Sequence, residues 1–262
     1  MSLLNNIRTK TKQKSPRVGI YGEMGVGKTY AMVKMLNSIT QPTEEGLVKV
    51  KDAEGNDPHH FEKAKSYDEV MENLQLLLDE PNEYKSYVLD SLSGLELLIW
   101  EATLQKYKLD SLEANWHQGY AKAVNLWIAY LKKLDELREK NYTICLIGHS
   151  DTETVDDPSV EVPYRRYVLD VHKKARPEII QWLDCLFFAQ KKKGTVKIQS
   201  NGKVETKVKQ SKDERIVWCN EQIFCQAKNR YALPDELPLD WNQIRAEMLK
   251  WVLFLYQKKQ KK

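Results

Sequence analysis

The chain has 262 residues, of which 42% are hydrophobic and 30% are charged, and its formal net charge is +4. This composition is typical of a folded globular protein and excludes a disordered chain, and the length suits one large domain with an ample core. No apolar run is long enough to span a membrane, and the N-terminus lacks the apolar stretch of a signal peptide. We therefore expect a cytoplasmic protein with no membrane contact.

Positive charge is concentrated in three segments. Residues 1–17 contain five basic residues and no acidic one, residues 189–212 contain eight lysines and one glutamate, and the last six residues include four lysines. Clustered positive charge favours a polyanionic partner, usually nucleic acid, although solvated surface lysines are the alternative. We expect residues 1–15 to form a flexible basic arm.

The four cysteines form no C-x-x-C pair. Cys145 and Cys185 occur in apolar runs, where a free cysteine behaves as a small hydrophobic residue. Cys219 and Cys225 could meet across a turn, but no histidine pair accompanies them. We expect all four to be reduced thiols.

The first predicted element is a short apolar strand that ends in a glycine-rich turn. The sequence Gly-Glu-Met-Gly-Val-Gly-Lys-Thr, from Gly22 to Thr29, matches the phosphate-binding pattern G-x-x-x-x-G-K-[ST], and a helix is predicted from Thr29 to Leu36. Glycines allow consecutive backbone N–H groups to surround a phosphate, and the helix N-terminus adds partial positive charge. Lys28 would contact the β- and γ-phosphates of ATP, and the Thr29 hydroxyl would bind Mg²⁺. The predicted nucleotide-binding residues are Gly22, Glu23, Met24, Gly25, Val26, Gly27, Lys28, Thr29 and Tyr30.

A second strand is expected near residues 38–42. Pro42 cannot donate a hydrogen bond to a neighbouring strand, so this strand should be short or lie at an edge of the sheet. Glu44 or Glu45 follows where the strand should end, and either carboxylate could orient a water molecule for hydrolysis; a solvated loop carboxylate is the alternative. Residues 48–64 are polar and are predicted to form an exposed loop.

A capping box of Ser66 and Glu69 predicts a helix that extends to about Leu78. The run Tyr87–Asp90 then predicts a buried strand that ends in a carboxylate. Asp90 could hold the hydration shell of Mg²⁺ beside the phosphates, although capping the next helix is an alternative role.

Two helices, 91–107 and 120–139, should follow, with their apolar residues in the core. The β-favouring run 142–147 predicts a strand in a parallel sheet, and it ends just before His149. Because open α/β sheets bind ligands at the carboxyl ends of their strands, His149 could contact the γ-phosphate, or it could be structural.

The last third of the chain mixes strands and helices. We predict a helix over 172–182 with Pro177 as a break or in the first turn, a buried strand over 185–189, and a hairpin of strands 195–199 and 203–208 around Asn201–Gly202. Further strands are predicted at 215–218 and 222–226, and a final helix over 241–256. Strands that alternate with helices after a P-loop predict an α/β fold with a mainly parallel central sheet flanked by helices.

Motifs spread over roughly residues 16–241 resemble those of phage-encoded RecA-like ATP-binding proteins. These P-loop proteins are often labelled as an AAA domain and are related to the single-strand-annealing recombination ATPases of phages. The matching segments are Gly22–Thr29, Thr43–Gly46, Ala64–Val70, Tyr87–Glu96, Gly119–Ala123, Gly148–Ser150, Tyr164–Tyr167, Lys173–Ala175 and Ala227–Pro238.

The resemblance implies a RecA-like P-loop NTPase fold with a basic β-hairpin at about 194–209. It would comprise an ATPase domain over 16–241, followed by a C-terminal helix and basic tail over 242–262. Glu44 aligns with the glutamate that activates water in RecA-like ATPases. Lys228 and Arg230 resemble the K-N-R motif of RadA and helicase-type relatives, whose basic groups contact the γ-phosphate bound by a neighbouring subunit.

This sequence departs from the family pattern at two places. Thr40–Pro42 stands where the family has an apolar strand, which weakens the placement of Glu44. Ala232 stands where relatives usually have glycine after the aromatic residue, so the local turn could differ.

These features predict an Mg²⁺-dependent ATPase that acts on single-stranded DNA in phage recombination or replication, in the cytoplasm of the bacterial host. The expected partners are single-stranded DNA, further copies of the chain in a homo-oligomer with nucleotide sites between subunits, and a single-strand-binding protein. One alternative is a nucleotide-gated binding or loading module with little hydrolysis, with which Lys28, Thr29 and Asp90 agree equally well. A small-molecule kinase is a third, although the sequence shows no cluster of lid arginines.

Overall fold

The computed structural model describes residues 14–47, 49–200 and 203–260. Most of the predicted basic arm and the predicted Asn201–Gly202 turn lie outside these ranges. The strands are β1 (Arg17–Gly22), β2 (Ser38–Pro42), β3 (Ser86–Asp90), β4 (Thr143–Val155), β5 (Tyr164–Leu169), β6 (Cys185–Ser200), β7 (Lys203–Trp218), β8 (Lys228–Asn229) and β9 (Glu236–Pro238). The helices are α1 (Lys28–Met32), α2 (Tyr67–Asp79), α3 (Leu92–Tyr107), α4 (Ala114–Glu139), α5 (Arg176–Trp182) and α6 (Trp241–Gln260).

The central sheet has the order β2-β3-β4-β1-β6-β7-β9. The first five strands are parallel, whereas β7 and β9 are antiparallel additions at one side. β4 separates β1, which leads into the glycine-rich loop, from β3, which ends in Asp90. The predicted α/β fold with a mainly parallel central sheet is confirmed.

Helices cover both faces of the sheet, because neighbouring residues in a strand point to opposite faces. In β3, Tyr87 and Leu89 belong to the core formed with α2, α3, α4 and α5, whereas Val88 belongs to the core on the other face. That second core contains Met32 of α1 and Ile244 of α6. The buried strands therefore lie between two helical layers.

Several strands differ from the sequence prediction. β4 does not end at residue 147 but continues to Val155, where it pairs with β5 as an antiparallel ribbon. β6 and β7 are continuous 16-residue strands rather than separate short ones, since each continues past the sheet into a two-stranded ribbon. The strand predicted over 222–226 is wrong: residues there form only isolated bridges.

The start of α2 has the side-chain cap that the sequence predicts, whereas α4 begins at Ala114 rather than at residue 120 and α5 at Arg176 rather than at residue 172. The Ser66 hydroxyl accepts from the Glu69 N–H at 3.1 Å, which confirms the predicted cap of α2. Ser91, rather than Asp90, caps α3 by accepting from the Gly94 N–H. Pro177 lies in the first turn of α5, where a missing N–H costs nothing. The helix after the glycine-rich loop is shorter than predicted, since α1 ends at Met32.

β2 is a five-residue strand at the edge of the parallel sheet, as Pro42 predicted. Its outer side is covered because Thr40 donates to the His59 carbonyl and accepts from the Phe61 N–H, both at 2.9 Å. This pairing protects an otherwise open strand edge.

The four cysteines are buried free thiols, which suits the apolar runs that contain them. In the part of the chain that the structure describes, no helix is both long and apolar enough to cross a membrane.

Candidate nucleotide-binding site

Four predicted site residues lie at one edge of the sheet, where the parallel strands end. Gly22 is in register with His149 on β4, and Asp90 at the end of β3 is in register with Pro42 on β2. Glu44 follows β2 by two residues. The fold therefore brings the glycine-rich loop and three candidate side chains together at the edge where α/β sheets bind ligands.

The glycine-rich loop needs glycine for two physical reasons. At Gly22, φ is 152° and a Cβ would lie 1.9 Å from the Ala189 carbonyl oxygen, so no side chain fits. At Gly27, φ is 98°, which is a left-handed conformation that favours glycine. Gly27 is the N-cap of α1, so the loop delivers the free N–H groups of the helix start to the site.

The Lys28 ammonium group is buried inside this loop. It donates to the carbonyl oxygens of Gly22 at 2.9 Å and of Glu23 at 3.0 Å. Burial lowers the pKa of Lys28, and the nearby carboxylates of Asp90 and Glu44 oppose that change. A phosphate entering the loop would meet a desolvated cation held only by neutral carbonyl groups.

Thr29 and Asp90 are in direct contact. The Thr29 hydroxyl donates to Asp90 Oδ2 at 2.7 Å. Burial raises the pKa of Asp90, and nearby Glu44 raises it further, whereas the Thr29 hydrogen bond and the Lys28 charge lower it. Asp90 is thus a buried carboxylate without an ion-pair partner within the described residues.

Glu44 is held beside Asp90 by two hydrogen bonds. Its Oε1 accepts from the Ser91 hydroxyl, and its Oε2 lies 3.0 Å from His149 Nε2. Partial burial acts to raise the pKa of Glu44, but the hydrogen bonds from Ser91 and His149 outweigh it, so the pKa is lowered. Glu45 is exposed and pairs with Lys63, so Glu44 is the glutamate at the site.

Thr43 fixes the turn that carries Glu44. Its N–H donates to the Asp90 carbonyl at 2.7 Å, and its hydroxyl donates to the Ser91 carbonyl and accepts from the Ser91 N–H, both at 2.8 Å. A Cβ on Gly94 would lie 2.4 Å from the Thr43 hydroxyl, so glycine is needed for α3 to approach this turn. The polar segment Thr40–Pro42 therefore forms the strand after all, and the turn after it is tied to the end of β3.

His149 lies between Glu44 and the glycine-rich loop. A carboxylate can only accept, so Nε2 carries the proton and donates to Glu44. The other ring nitrogen, Nδ1, is buried and has no hydrogen-bond partner among the described residues. His149 is therefore in direct contact with Glu44, and its contact with the γ-phosphate stays a prediction.

Other residues of the loop contribute mainly backbone. Met24 is 82% exposed, whereas Val26 packs in the core below the loop. Glu23 pairs with Lys193 of β6 at 2.7 Å. Tyr30 is half-exposed, with the Lys34 ammonium 3.9 Å from its ring centre.

Lys228 and Arg230 lie at the opposite edge of the sheet. Lys228 is in register with Leu186, near the start of β6, and donates to the carbonyl oxygens of Ile180 and Gln181 near the end of α5. Arg230 pairs with the buried Asp184 at 3.0 Å. The structure does not bring them to the glycine-rich loop of their own chain, and their action on a neighbouring subunit stays a prediction.

A sequence profile described as an AAA domain matches residues 14–231. The chain belongs to this AAA-domain family. No curated protein matches it. Among solved structures, the flagellar accessory protein FlaH from Methanocaldococcus jannaschii is similar with 11% identity and a TM-score of 0.36, over 86% of this chain and 90% of that one.

Membership of the AAA-domain family confirms the prediction of a P-loop domain that binds ATP. The residues also fit a magnesium ion. Mg²⁺ prefers oxygen ligands and keeps several waters, and the Thr29 hydroxyl and Asp90 carboxylate provide adjacent oxygens beside the phosphate loop.

Sequence reasoning missed two contributors to this AAA-domain site. Ser91 was predicted only as the start of a helix, yet it donates to Glu44. Arg215 on β7 was predicted only as part of a strand, yet its Nη1 lies 2.8 Å from the point where a Cβ on Gly27 would be. No sequence signal links Arg215 to the loop, because the contact depends on how β6 and β7 pair.

Proposed function

We propose that this protein is a Mg²⁺-dependent ATPase that acts on single-stranded DNA during phage recombination or replication. The observation that supports hydrolysis is the Glu44 carboxylate, held by Ser91 and His149 next to the Thr29–Asp90 pair. Its lowered pKa keeps it ionised near neutral pH, as a group that accepts a proton from water must be.

Each side chain of the site then has a distinct role. Lys28 and the loop N–H groups would bind the phosphates, and Thr29 and Asp90 would hold the metal ion, which would neutralise charge on the phosphate oxygens. Glu44 orients the attacking water and accepts its proton. Ser91 and His149 keep both Glu44 oxygens in place, so the carboxylate need not reorganise during the reaction.

The basic ribbon of β6 and β7 supports a DNA-binding role. Four lysines, at positions 197, 203, 207 and 209, lie on its two strands, and only Glu205 opposes them over residues 195–200 and 203–209. Single-stranded DNA has a negatively charged phosphate backbone, and a row of positive side chains suits its binding. The ribbon begins beside the phosphate loop, where Lys193 pairs with Glu23.

The assembly that we propose is a homo-oligomer with nucleotide sites between subunits. Arg230 is half-exposed at the edge opposite the phosphate loop, so its guanidinium is open to a neighbouring copy. A single-strand-binding protein is a further candidate partner.

A nucleotide-gated loading module with little hydrolysis is the alternative, because Lys28, Thr29 and Asp90 serve both functions. Steady-state ATP turnover with and without single-stranded DNA separates the two. We expect measurable turnover that rises when single-stranded DNA is added. Tight ATP binding with no turnover, whether DNA is present or absent, would favour the loading module.

The DNA contact can be tested at the ribbon. Replacing Lys203, Lys207 and Lys209 with Gln should reduce the slope of log affinity against log salt by about 0.7 for each lysine–phosphate pair that the substitutions remove. Replacing three lysines elsewhere, Lys85, Lys132 and Lys250, is the matched control and should leave the slope unchanged. Equal slopes in both triple variants would remove the ribbon from the proposed interface.

A further inference from the structure

The Arg215 guanidinium lies directly on the phosphate-binding loop. Its Nη1 is 2.8 Å, its Cζ 3.7 Å and its Cδ 3.9 Å from the position that a Cβ on Gly27 would occupy. The side chain therefore extends across the residue that precedes Lys28, at the start of α1. The sequence did not predict an arginine at this position. β7 reaches the loop because it pairs with β6, which in turn pairs with β1.

Arg215 has no ion-pair partner among the described residues, unlike most arginines of the fold. Arg17, Arg138 and Arg230 all pair with Asp184, and Arg166 and Arg176 both pair with Glu153. The acid next to Arg215, Glu214, lies 3.6 Å from the Lys192 ammonium. The Arg215 guanidinium therefore has no counter-charge among the described residues, and it lies beside a loop whose N–H groups are suited to bind an anion.

We propose that Arg215 is a second side-chain ligand of the nucleotide phosphates, acting on the site of its own subunit. The inference rests on the proposed ATP binding at this loop and adds to it a residue outside the phosphate-loop motif. Arginine suits the role because its planar guanidinium donates two parallel hydrogen bonds to phosphate oxygens. Arg215 differs in this from Arg230, which lies at the opposite edge and could reach only a neighbouring subunit's nucleotide.

The proposal also connects the nucleotide to the basic ribbon. Arg215 and Lys193 lie on the two strands at the base of that ribbon, and Lys193 already pairs with Glu23 of the loop. A phosphate that binds Arg215 therefore contacts the loop and the ribbon at once.

The test is nucleotide affinity measured by calorimetry for the wild type, Arg215→Ala, Arg215→Lys and a control, Arg245→Ala. Arg245 is an exposed arginine on α6 that lines a surface pocket with Lys85 and Asn141, at the opposite edge of the sheet. We expect Arg215→Ala to weaken ATP binding about tenfold to a hundredfold, since it removes a charge-assisted bidentate hydrogen bond, and Arg215→Lys to weaken it less. Arg245→Ala should bind ATP as the wild type does.

Competition by inorganic pyrophosphate, which has no base or sugar, identifies the group that Arg215 contacts. Pyrophosphate should lose affinity in Arg215→Ala to a similar extent as ATP. Unchanged ATP affinity in Arg215→Ala, or weaker ATP binding with unchanged pyrophosphate binding, would overturn the proposal while leaving the ATPase assignment intact. A wild-type protein that binds no ATP would instead refute the proposed function, and this inference with it.

The melting temperature of the nucleotide-free protein is the folding control. Arg215→Ala should melt like the wild type, because the guanidinium is exposed and makes no ion pair within the described residues. A large fall in melting temperature would assign Arg215 a structural role and would contradict the proposal.

Discussion

Buried aspartates lie at both ends of the parallel strands, in opposite electrostatic settings. The amino edge is the side of the sheet where these strands begin, and the carboxyl edge is the side where they end. At the amino edge, Asp184 accepts from Arg17, Arg138 and Arg230 at 2.9–3.0 Å. At the carboxyl edge, the Asp90 carboxylate accepts only from the neutral Thr29 hydroxyl among the hydrogen bonds of the described residues. Burial acts to raise the pKa of both, but at Asp184 the arginines outweigh it and the pKa is lowered, whereas at Asp90 the pKa is raised.

This difference separates a structural cluster from a binding site. At the amino edge, Asp184 is paired with three arginines of its own chain, so this aspartate needs no ligand to balance its charge. At the carboxyl edge, Lys28 contacts neutral carbonyls, His149 Nδ1 has no described partner, and Arg215 has no described ion pair. Buried groups with shifted pKa and incomplete pairing are typical of functional sites.

The largest effect on nucleotide binding is expected from Lys28→Met. It removes the buried ammonium that would bind the phosphates, so ATP affinity should fall by at least about a hundredfold, the equivalent of one strong charge-assisted hydrogen bond. Because burial already lowers the pKa of Lys28, its charge is costly to the fold, and the nucleotide-free variant should be at least as stable as the wild type. Calorimetric titration and thermal melting check the two statements, and wild-type affinity would contradict the P-loop assignment.

Asp184→Asn should have the opposite pair of effects, a loss of stability with ATP binding retained. It leaves three arginines around a neutral group, so the free energy of unfolding should fall by about 3–5 kcal/mol, while the folded fraction still binds ATP. Asp57→Asn, at an exposed pair with Lys51, is the control and should change little.

Asp184 should also make the stability of the fold fall at acid pH. Because its folded pKa is lowered, the stability that Asp184 contributes is present above the unfolded aspartate pKa of about 3.9 and is lost as pH falls through the folded value. Denaturant titrations at several pH values should show a shallower acid loss in Asp184→Asn than in the wild type. Parallel pH profiles for the two proteins would contradict this account of the amino edge.

Arg230 links the two edges if subunits share a site. Arg230→Ala should slow turnover with modest loss of stability, since the side chain is 52% exposed and Asp184 keeps two other arginines. Mixing it with Lys28→Met should restore part of the activity, because some mixed interfaces combine an intact phosphate loop with an intact Arg230. No recovery between two folded variants would assign Arg230 to the Asp184 cluster alone.

The smallest effect is expected at Ala232, which follows the amino-edge cluster and has a φ of 48°. A left-handed conformation is strained for alanine, so Ala232→Gly should stabilise the fold by about 0.5–1 kcal/mol. The matched control, Ala102→Gly within α3, should destabilise it by about 1 kcal/mol. Chemical denaturation would measure both, and a loss of stability in Ala232→Gly would show that the turn does not need glycine.

The sequence predicted the carboxyl edge better than the amino edge. Spacing alone indicated Lys28, Thr29 and Asp90, because phosphate and metal binding constrain residue type and position. Choosing Glu44 needed the family resemblance, because the segment before it is too polar to be recognised as a strand from sequence. That segment forms β2 because it pairs with β3 on one side and with residues 59–61 on the other. Arg215 and the cluster around Asp184 could not be predicted, because their contacts join residues far apart in sequence.

The central claim is that the carboxyl edge hydrolyses ATP through Glu44, and Glu44→Gln tests it most directly. The amide keeps the size of the side chain and can still contact Ser91 and His149, but it cannot accept a proton from water. We predict ATP affinity within about threefold of the wild type and turnover reduced by about 10²–10⁴-fold, with and without single-stranded DNA. Wild-type turnover in a variant that binds ATP normally would contradict the account.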